Sequence, residues 1–176
     1  MRRRRGCGTL CAVQVREFRD GDWPQVWAIV REVVRARETF PYDPGMTEAQ
    51  GRATWIETPP GLTVVAVDGD RVLGTAKTGP NRAGPGGHVS TASFMVAAPE
   101  RGRGVGTALL RHAVDRAAAD GYAAMQFNAV VETNESAVAL YRRHGFEVVG
   151  TVPRAFEHPT RGRVGLHVMY REFGAR

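Results

Sequence analysis

The feature of this sequence that most constrains its fold is a run of three glycines at alternate positions, Arg101-Gly102-Arg103-Gly104-Val105-Gly106. A segment rich in apolar residues, 88–96, precedes the run, and an amphipathic segment that ends at Gly121 follows it. Glycines let a backbone turn sharply and approach a ligand closely. Free amides at the start of a helix, together with the positive end of its dipole, bind phosphate. The run therefore predicts a phosphate-binding turn between a strand and a helix.

The spacing of these glycines excludes two common phosphate-binding turns. A P-loop ends in Gly-Lys-Ser or Gly-Lys-Thr, whereas Gly106 is followed by Thr107 and Ala108. A Rossmann turn has its third glycine three residues after the second, whereas every other residue is a glycine here. A third kind of phosphate-binding turn is therefore indicated.

The remaining pattern predicts a mixed α/β order in a single domain over residues 13–176, preceded by a disordered basic tail at 1–12. One strand–helix–strand unit, 88–131, is expected to be parallel and right-handed. A hairpin turn is expected at 68–70 and a flexible Gly/Pro loop at 79–87. Strands are predicted at 13–18, 63–67, 72–78, 88–96, 124–131, 146–152 and 164–170, and helices at 23–37, 47–56, 104–120 and 134–144.

Composition and charge argue against several functions. The net charge of +6 includes the arginines at positions 2–5, and no recognition helix or aromatic–basic pattern accompanies it, so nucleic-acid binding is not expected. No apolar run reaches the ~20 residues of a membrane span, and no signal-peptide stretch opens the chain. We therefore expect a cytoplasmic protein without a membrane partner. Cys7, Cys11 and the histidines show no ligand spacing for a metal.

A second motif follows the glycine run after about twenty-eight residues, Asn134-Glu135-Ser136-Ala137-Val138-Ala139-Leu140-Tyr141-Arg142-Arg143-His144-Gly145-Phe146. Together the two motifs resemble the Arg/Gln-x-x-Gly-x-Gly/Ala loop and the Asn-x-x-Ala-x-x-Leu-Tyr-x-x-x-Gly-Phe segment of GNAT-superfamily N-acetyltransferases. The clear resemblance covers 88–152. It implies the GNAT fold of the α/β (α+β) class, with a central mixed and splayed sheet of six to seven strands flanked by about four helices. It also implies acetyl-CoA as co-substrate and no metal.

The resemblance implies a role for residues on each side of a cofactor cleft. The fourth strand would contact the pantetheine arm and the acetyl group through its backbone, and Tyr141 would protonate the departing CoA thiolate. The residues expected on the cofactor arm are Phe94, Met95, Val96, Asn134 and Ala137. The residues expected around the pyrophosphate are Arg101, Gly102, Arg103, Gly104, Val105, Gly106 and Thr107.

The spacing of Asn134 and Tyr141 supports this division independently of any resemblance. Seven residues are nearly two helical turns, so both side chains project from one face. A phenol can deliver a proton to a thiolate without being charged itself, which suits a dry cleft. Alternatively, Asn134 only caps its helix and Tyr141 is a core aromatic. The amine acceptor must also lose a proton, and Glu57 and Glu132 are both candidates for the base.

Asn128 stands out as a polar side chain inside an apolar strand, where an unpaired amide costs free energy. It either faces solvent on an alternating strand or serves the reaction. Residues 127–134, Phe-Asn-Ala-Val-Val-Glu-Thr-Asn, are similar to a GNAT branch that contains fungal acetyltransferases of proline analogues such as azetidine-2-carboxylate. This resemblance implies that Asn128 belongs to the catalytic site, where it contacts the carboxylate or amine region of a small amino-acid-like acceptor.

Two segments are expected to line the acceptor side. These are 35–43, between the first two helices, and 153–159, a facing loop in which an arginine would receive a carboxylate. The expected activity is transfer of an acetyl group from acetyl-CoA to a primary or secondary amine of a small molecule in a ternary complex. An acetyltransferase of protein N-termini or lysines and a non-catalytic acyl-CoA-binding module are the alternatives. The oligomeric state stays open, with a homodimer as one option.

Overall fold

The computed structural model describes residues 13–174, and the tail predicted at 1–12, with Cys7 and Cys11, lies outside them. These residues include no helix long and apolar enough to cross a membrane and no group of three or more His, Cys, Asp or Glu side chains placed to hold a metal ion. The helices are α1 (Trp23–Ala36), α2 (Glu48–Trp55), α3 (Val105–Ala119) and α4 (Glu135–Arg143). The strands are β1 (Gln14–Glu17), β2 (Leu62–Asp68), β3 (Arg71–Pro80), β4 (Val89–Val96), β5 (Ala124–Val131), β6 (Glu147–His158) and β7 (Gly162–Glu172).

Within residues 13–174, seven strands form one mixed sheet in the order β1-β2-β3-β4-β5-β7-β6. Only the pair β4–β5 is parallel, and its connection passes through α3, as a parallel crossover requires. β4 and β5 pair at Val89 with Ala124 and at Ser90 with Met125. Beyond these residues the two strands diverge. The prediction of a mixed, splayed sheet flanked by four helices is confirmed.

Helices cover both faces of the sheet, because alternate residues of a strand point to opposite faces. α1 and α2 pack on one face, where Val26 and Trp55 join Val65 in a buried cluster. α3 packs on the other face, where Leu109 meets Val64. A third buried cluster joins α3 and α4 to β5 and β7. These layers hold β4 and β5 in place on either side of the gap between them.

Local signals set the helix boundaries. Thr47 and Gln50 form a capping box at the start of α2, in which the Thr47 hydroxyl accepts from the Gln50 N–H and the Gln50 side chain accepts from the Thr47 N–H. α1 stops before Arg37, which has a left-handed backbone at φ +57°. α3 is followed by Gly121 at φ +89°, which is the predicted stop.

Two loops predicted from the sequence are shorter than expected. β6 runs to His158, so the facing loop predicted at 153–159 is wrong for all but its last residue. Pro153 is compatible with this strand because β6 is an edge strand, and the pairing with β7 is interrupted by bulges near Gly150 and Phe156. β3 runs to Pro80, so the loop predicted at 79–87 begins two residues later than expected.

Candidate active site

The site begins where β4 and β5 diverge. The Ser90 hydroxyl donates to the carbonyl oxygen of Ala124 at 2.9 Å and holds the strands together at this point. Beyond it, β4 pairs with β3 as far as Val96, opposite Gly74, but no longer with β5. One edge of β4 from Thr91 to Val96 therefore presents backbone N–H and C=O groups to the gap. A ligand with amide groups can bind to such an edge as a strand does.

A cavity of about 900 Å³ fills this gap, and we call it the main cavity. Its walls are β4, β5, α4, the start of α3, the connection between α1 and α2, and the turn between β6 and β7. Two of the predicted site residues, Arg103 and Val105, do not line it. The predicted residues that line it are Phe94, Met95, Val96, Arg101, Gly102, Gly104, Gly106, Thr107, Asn128, Asn134, Ala137 and Tyr141. The fold thus brings both sequence motifs to one space.

The glycine run ends in a helix start that has no side-chain cap. Gly104 is the N-cap residue of α3, with a left-handed backbone at φ +85°, and no side chain accepts from the first turn. Gly102 is also left-handed, at φ +74°. A Cβ atom on Gly104 would meet no protein atom within 4 Å. The first amides of α3 are therefore available to an anion.

Arg103 braces this loop instead of lining the main cavity. Glu100 is buried, with 4% of its surface exposed, and it accepts from Arg71 Nη1 and from Arg103 Nη1 at 2.8 Å each. The two guanidinium groups compensate the buried carboxylate. Arg101 lines the main cavity and has no ion-pair partner within residues 13–174. Arg101 is therefore the arginine of the loop that is free to contact a phosphate.

Tyr141 is both a core aromatic and a residue of the main cavity. Its ring centroid lies 4.5 Å from that of Phe127 and 6.1 Å from that of Phe94. Burial raises the pKa of Tyr141. Its hydroxyl donates to no other described residue, and the hydroxyl oxygen is not fully buried. The hydroxyl is thus open to the main cavity and protonated at neutral pH, as a proton donor requires.

Asn134 caps α4 and also lines the main cavity. Its Oδ1 accepts from the N–H of Ala137 at 3.4 Å and from the hydroxyl of Ser136 at 3.2 Å. The cap uses only the oxygen, so the N–H groups of Asn134 Nδ2 stay available to a ligand. The two interpretations of Asn134 are therefore compatible.

Asn128 is an exposed residue that lies where β5 loses its regular register with β7, between Phe127 and Val130, and it is among the residues that line the main cavity. Its Nδ2 donates to Asn81 Oδ1 and its Oδ1 accepts from Gln126 Nε2, both at 2.7 Å. The partner Asn81 was not evident from the sequence, because it is 47 positions away. The amide of Asn128 is thus paired within the protein, and the residue forms part of the wall of the main cavity.

Neither of the two carboxylates considered as the base lines the main cavity. Glu57 pairs with Lys77 at 3.0 Å, and Glu132 accepts from a backbone N–H of β7. The carboxylates that do line the main cavity belong to Glu38 and Glu100. Because Glu100 is held by two arginines, Glu38 is the one without an ion-pair partner in the described structure.

The part of the main cavity where the acceptor is expected is formed by the α1–α2 connection and the β6–β7 turn. Of the predicted segment 153–159 only His158 lines it, and the turn adds Thr160 and Arg161. Arg154, the arginine of the predicted segment, does not line the main cavity. Arg161 lies just beyond that segment, lines the main cavity and has no ion-pair partner among residues 13–174. The Pro-Thr-Arg-Gly turn signal at 159–162 was the available clue to its position. The predicted segment 35–43 contributes Glu38, Thr39, Phe40, Pro41 and Tyr42.

The sequence matches the model of the acetyltransferase (GNAT) family over residues 25–146. This range is most of the chain and contains both motifs. The chain belongs to the GNAT family of acetyltransferases.

Individual GNAT proteins are similar over most of their length. A GCN5-related N-acetyltransferase from Kribbella flavida is 55% identical, with a TM-score of 0.89, over 92% of this chain and 98% of that one. A GNAT phosphinothricin acetyltransferase from Sinorhizobium meliloti, solved in complex with AcCoA, is 26% identical, with a TM-score of 0.82, over 92% of this chain and 89% of that one. The L-methionine sulfoximine/L-methionine sulfone acetyltransferase of Pseudomonas aeruginosa is 29% identical over 149 residues, 81% of this chain and 85% of that protein.

The main cavity of this GNAT enzyme fits its co-substrate, acetyl-CoA, which supplies the activated acetyl group. The free edge of β4 suits the amides of the pantetheine arm, and the uncapped start of α3 suits the pyrophosphate. Thr133 also lines the main cavity, and its Oγ1 is the one buried side-chain polar atom without a partner among residues 13–174. The sequence had not singled out Thr133.

Proposed function

We propose that this enzyme acetylates the primary or secondary amine of a small, amino-acid-like molecule by direct transfer from acetyl-CoA in a ternary complex. The observation that carries this proposal is the set of polar groups on the main cavity: the amide of Asn128, the unpaired carboxylate of Glu38 and the unpaired guanidinium of Arg161. An amino acid carries one cation and one anion. Glu38 and Arg161 carry opposite charges and have no ion-pair partner among residues 13–174, so together they complement both charges of an amino acid.

Two comparisons support this class of acceptor. The relative from P. aeruginosa is named for L-methionine sulfoximine and L-methionine sulfone, and the S. meliloti structure for phosphinothricin. These compounds are analogues of amino acids. Secondary amines are included because residues 127–134 resemble the branch that acetylates proline analogues.

Direct transfer needs one proton donor and one proton acceptor. As the amine nitrogen bonds to the acetyl carbon, the carbon–sulfur bond breaks and the sulfur leaves as a thiolate. The hydroxyl of Tyr141 donates a proton to this thiolate, and the nitrogen gives up one proton, so the charges balance. Glu38 is the carboxylate available to take the proton that the nitrogen gives up, directly or through water. Asn128 orients the acceptor for attack.

Acetylation of a protein N-terminus or lysine is the alternative, and it would need a groove that admits a peptide. The α1–α2 connection and the β6–β7 turn both stand on the acceptor side, which favours a small molecule. A non-catalytic acyl-CoA-binding module is disfavoured by the hydroxyl of Tyr141, which is open to the main cavity.

A screen of amines with acetyl-CoA, followed by thiol release, tests the proposal. The panel contains free amino acids and their analogues, the same compounds as carboxamides, and peptides with a free N-terminus or a lysine. We expect turnover of a free amino acid or analogue, and weaker turnover of its carboxamide. Turnover of peptides alone would favour protein acetylation. No acceptor-dependent thiol release, with acetyl-CoA binding intact, would favour a binding module.

A further inference from the structure

Asn128 is held by two other amides close to the point where β4 and β5 diverge. Gln126 Nε2 donates to Asn128 Oδ1, and Asn128 Nδ2 donates to Asn81 Oδ1, both at 2.7 Å. Asn81 is fixed in turn, because its backbone N–H donates to the carbonyl oxygen of Val89 at 2.8 Å. The side chain of Asn81 therefore reaches from the end of β3 to β5, although β4 lies between these strands in the sheet.

Of these three residues only Asn128 lines the main cavity, since Asn81 and Gln126 are absent from its wall. A side-chain amide has two N–H groups and two lone pairs. Asn128 uses one of each on its neighbours, so one N–H and one lone pair remain for a ligand. The terminal torsion of an asparagine is broad and is not set by the backbone. The two neighbours therefore decide which way Asn128 presents its remaining groups.

We propose that Gln126, Asn128 and Asn81 form a directed hydrogen-bond chain, and that Gln126 and Asn81 are positioning residues for the acceptor. The inference rests on the proposed function, in which Asn128 contacts an amino-acid-like acceptor. The remaining N–H of Asn128 donates to the acceptor's carboxylate, and the chain keeps it pointed there. Loss of either neighbour raises the KM for the acceptor. The affinity for acetyl-CoA stays unchanged, because neither neighbour lines the main cavity.

Isosteric substitutions at the two ends test the direction of the chain. Asn81→Asp keeps an oxygen that accepts from Asn128, whereas Gln126→Glu removes the N–H that donates to it. Both variants add one negative charge next to Asn128. The difference between them therefore reports the direction of the hydrogen bonds and not the effect of the added charge. We expect acceptor KM to rise about 5- to 100-fold for Gln126→Glu and for Asn81→Ala, and much less for Asn81→Asp. Calorimetry should show wild-type affinity for acetyl-CoA in all three.

Nuclear magnetic resonance of the side-chain amides gives a readout that needs no acceptor. One of the two Nδ2 protons of Asn128 should be hydrogen-bonded and slow to exchange in the free protein. This protection should persist in Asn81→Asp and disappear in Asn81→Ala. Arg82→Ala is the matched control in the same connection, because Arg82 donates to the backbone carbonyl of Asn81 and not to its side chain.

The outcomes separate this inference from the proposed function. If Asn81→Ala changes neither the Asn128 signals nor the acceptor KM, the chain does not position Asn128. Equal losses in Asn81→Asp and Gln126→Glu would overturn its direction. The double variant Asn81→Ala/Asn128→Ala should be no worse than Asn128→Ala alone, and additive losses would overturn the positioning role. A normal acceptor KM in Asn128→Ala would instead refute the acceptor contact on which the proposed function depends.

Discussion

Tyr141→Phe removes the proposed proton donor of the main cavity and leaves the ring in place. The ring keeps its contacts with Phe94 and Phe127, and the hydroxyl has no hydrogen bond within residues 13–174 to lose. The temperature of thermal unfolding should therefore not fall. Proton donation to a leaving group contributes about a hundred- to ten-thousandfold in rate, or ~2.7 to ~5.5 kcal/mol. We expect kcat, measured by thiol release, to fall by this factor at unchanged acetyl-CoA affinity.

Tyr122→Phe is the matched control for this variant. Tyr122 packs against the same buried cluster as Tyr141 but does not line the main cavity, so its kcat should stay at the wild-type value. An equal loss in the two variants would show damage to packing, not loss of a proton donor. Full kcat in Tyr141→Phe would refute proton donation by this residue and assign the proton to water.

The pH profile checks the same assignment with a defined sign. Burial raises the pKa of Tyr141 above the ordinary tyrosine value of about 10, so the donor is protonated at every pH below that value. Deprotonation of Tyr141 therefore cannot cause kcat to fall between neutral pH and about pH 10. An alkaline fall in that range that disappears in Tyr141→Phe would contradict the raised pKa.

Three other predictions concern the remaining walls of the main cavity. Gly104→Glu should abolish acetyl-CoA binding in calorimetry. Gly121→Glu is the control and should keep binding, because Gly121 has a similar left-handed φ of +89°, also has no protein atom within 4 Å of an added Cβ, and should cost the same strain. Equal binding in both variants would refute the phosphate-binding role of the loop. Arg161→Ala should raise the KM of a carboxylate-bearing acceptor about 5- to 100-fold and leave its carboxamide unaffected, and equal effects on both would exclude a carboxylate contact. Glu38→Gln should lower kcat/KM in steady-state assays while Glu57→Gln should not, and the reverse order would restore Glu57 as the base.

The cofactor half of the site was predictable because its signals are local in sequence. Gly102 and Gly104 need left-handed backbone angles that other residues rarely adopt. Asn134 and Tyr141 share one helix, so their spacing alone places them on one face. Two predicted residues of this half do not line the main cavity: Arg103 pairs with the buried Glu100, and Val105 is buried in the core.

The acceptor half was less predictable because its contacts join distant parts of the chain. The sequence does not show that Glu57 pairs with Lys77, because this contact depends on the register of β3. The partner of Asn128 lies in another connection, at Asn81. β6 extends past Pro153 only because it is an edge strand with bulges, and edge position is a property of the sheet and not of the sequence pattern.

The divergence of β4 and β5 has a mechanical consequence. The sheet consists of two blocks, β1-β2-β3-β4 and β5-β7-β6, and the strands at their border pair at only two positions, Val89 with Ala124 and Ser90 with Met125. A pantetheine arm along the free edge of β4 would cross-link the blocks much as an eighth strand would. Binding should then slow amide hydrogen exchange in both blocks together, well beyond the atoms in contact. In this sense acetyl-CoA would act as a structural part of the sheet that is removed and replaced in each turnover.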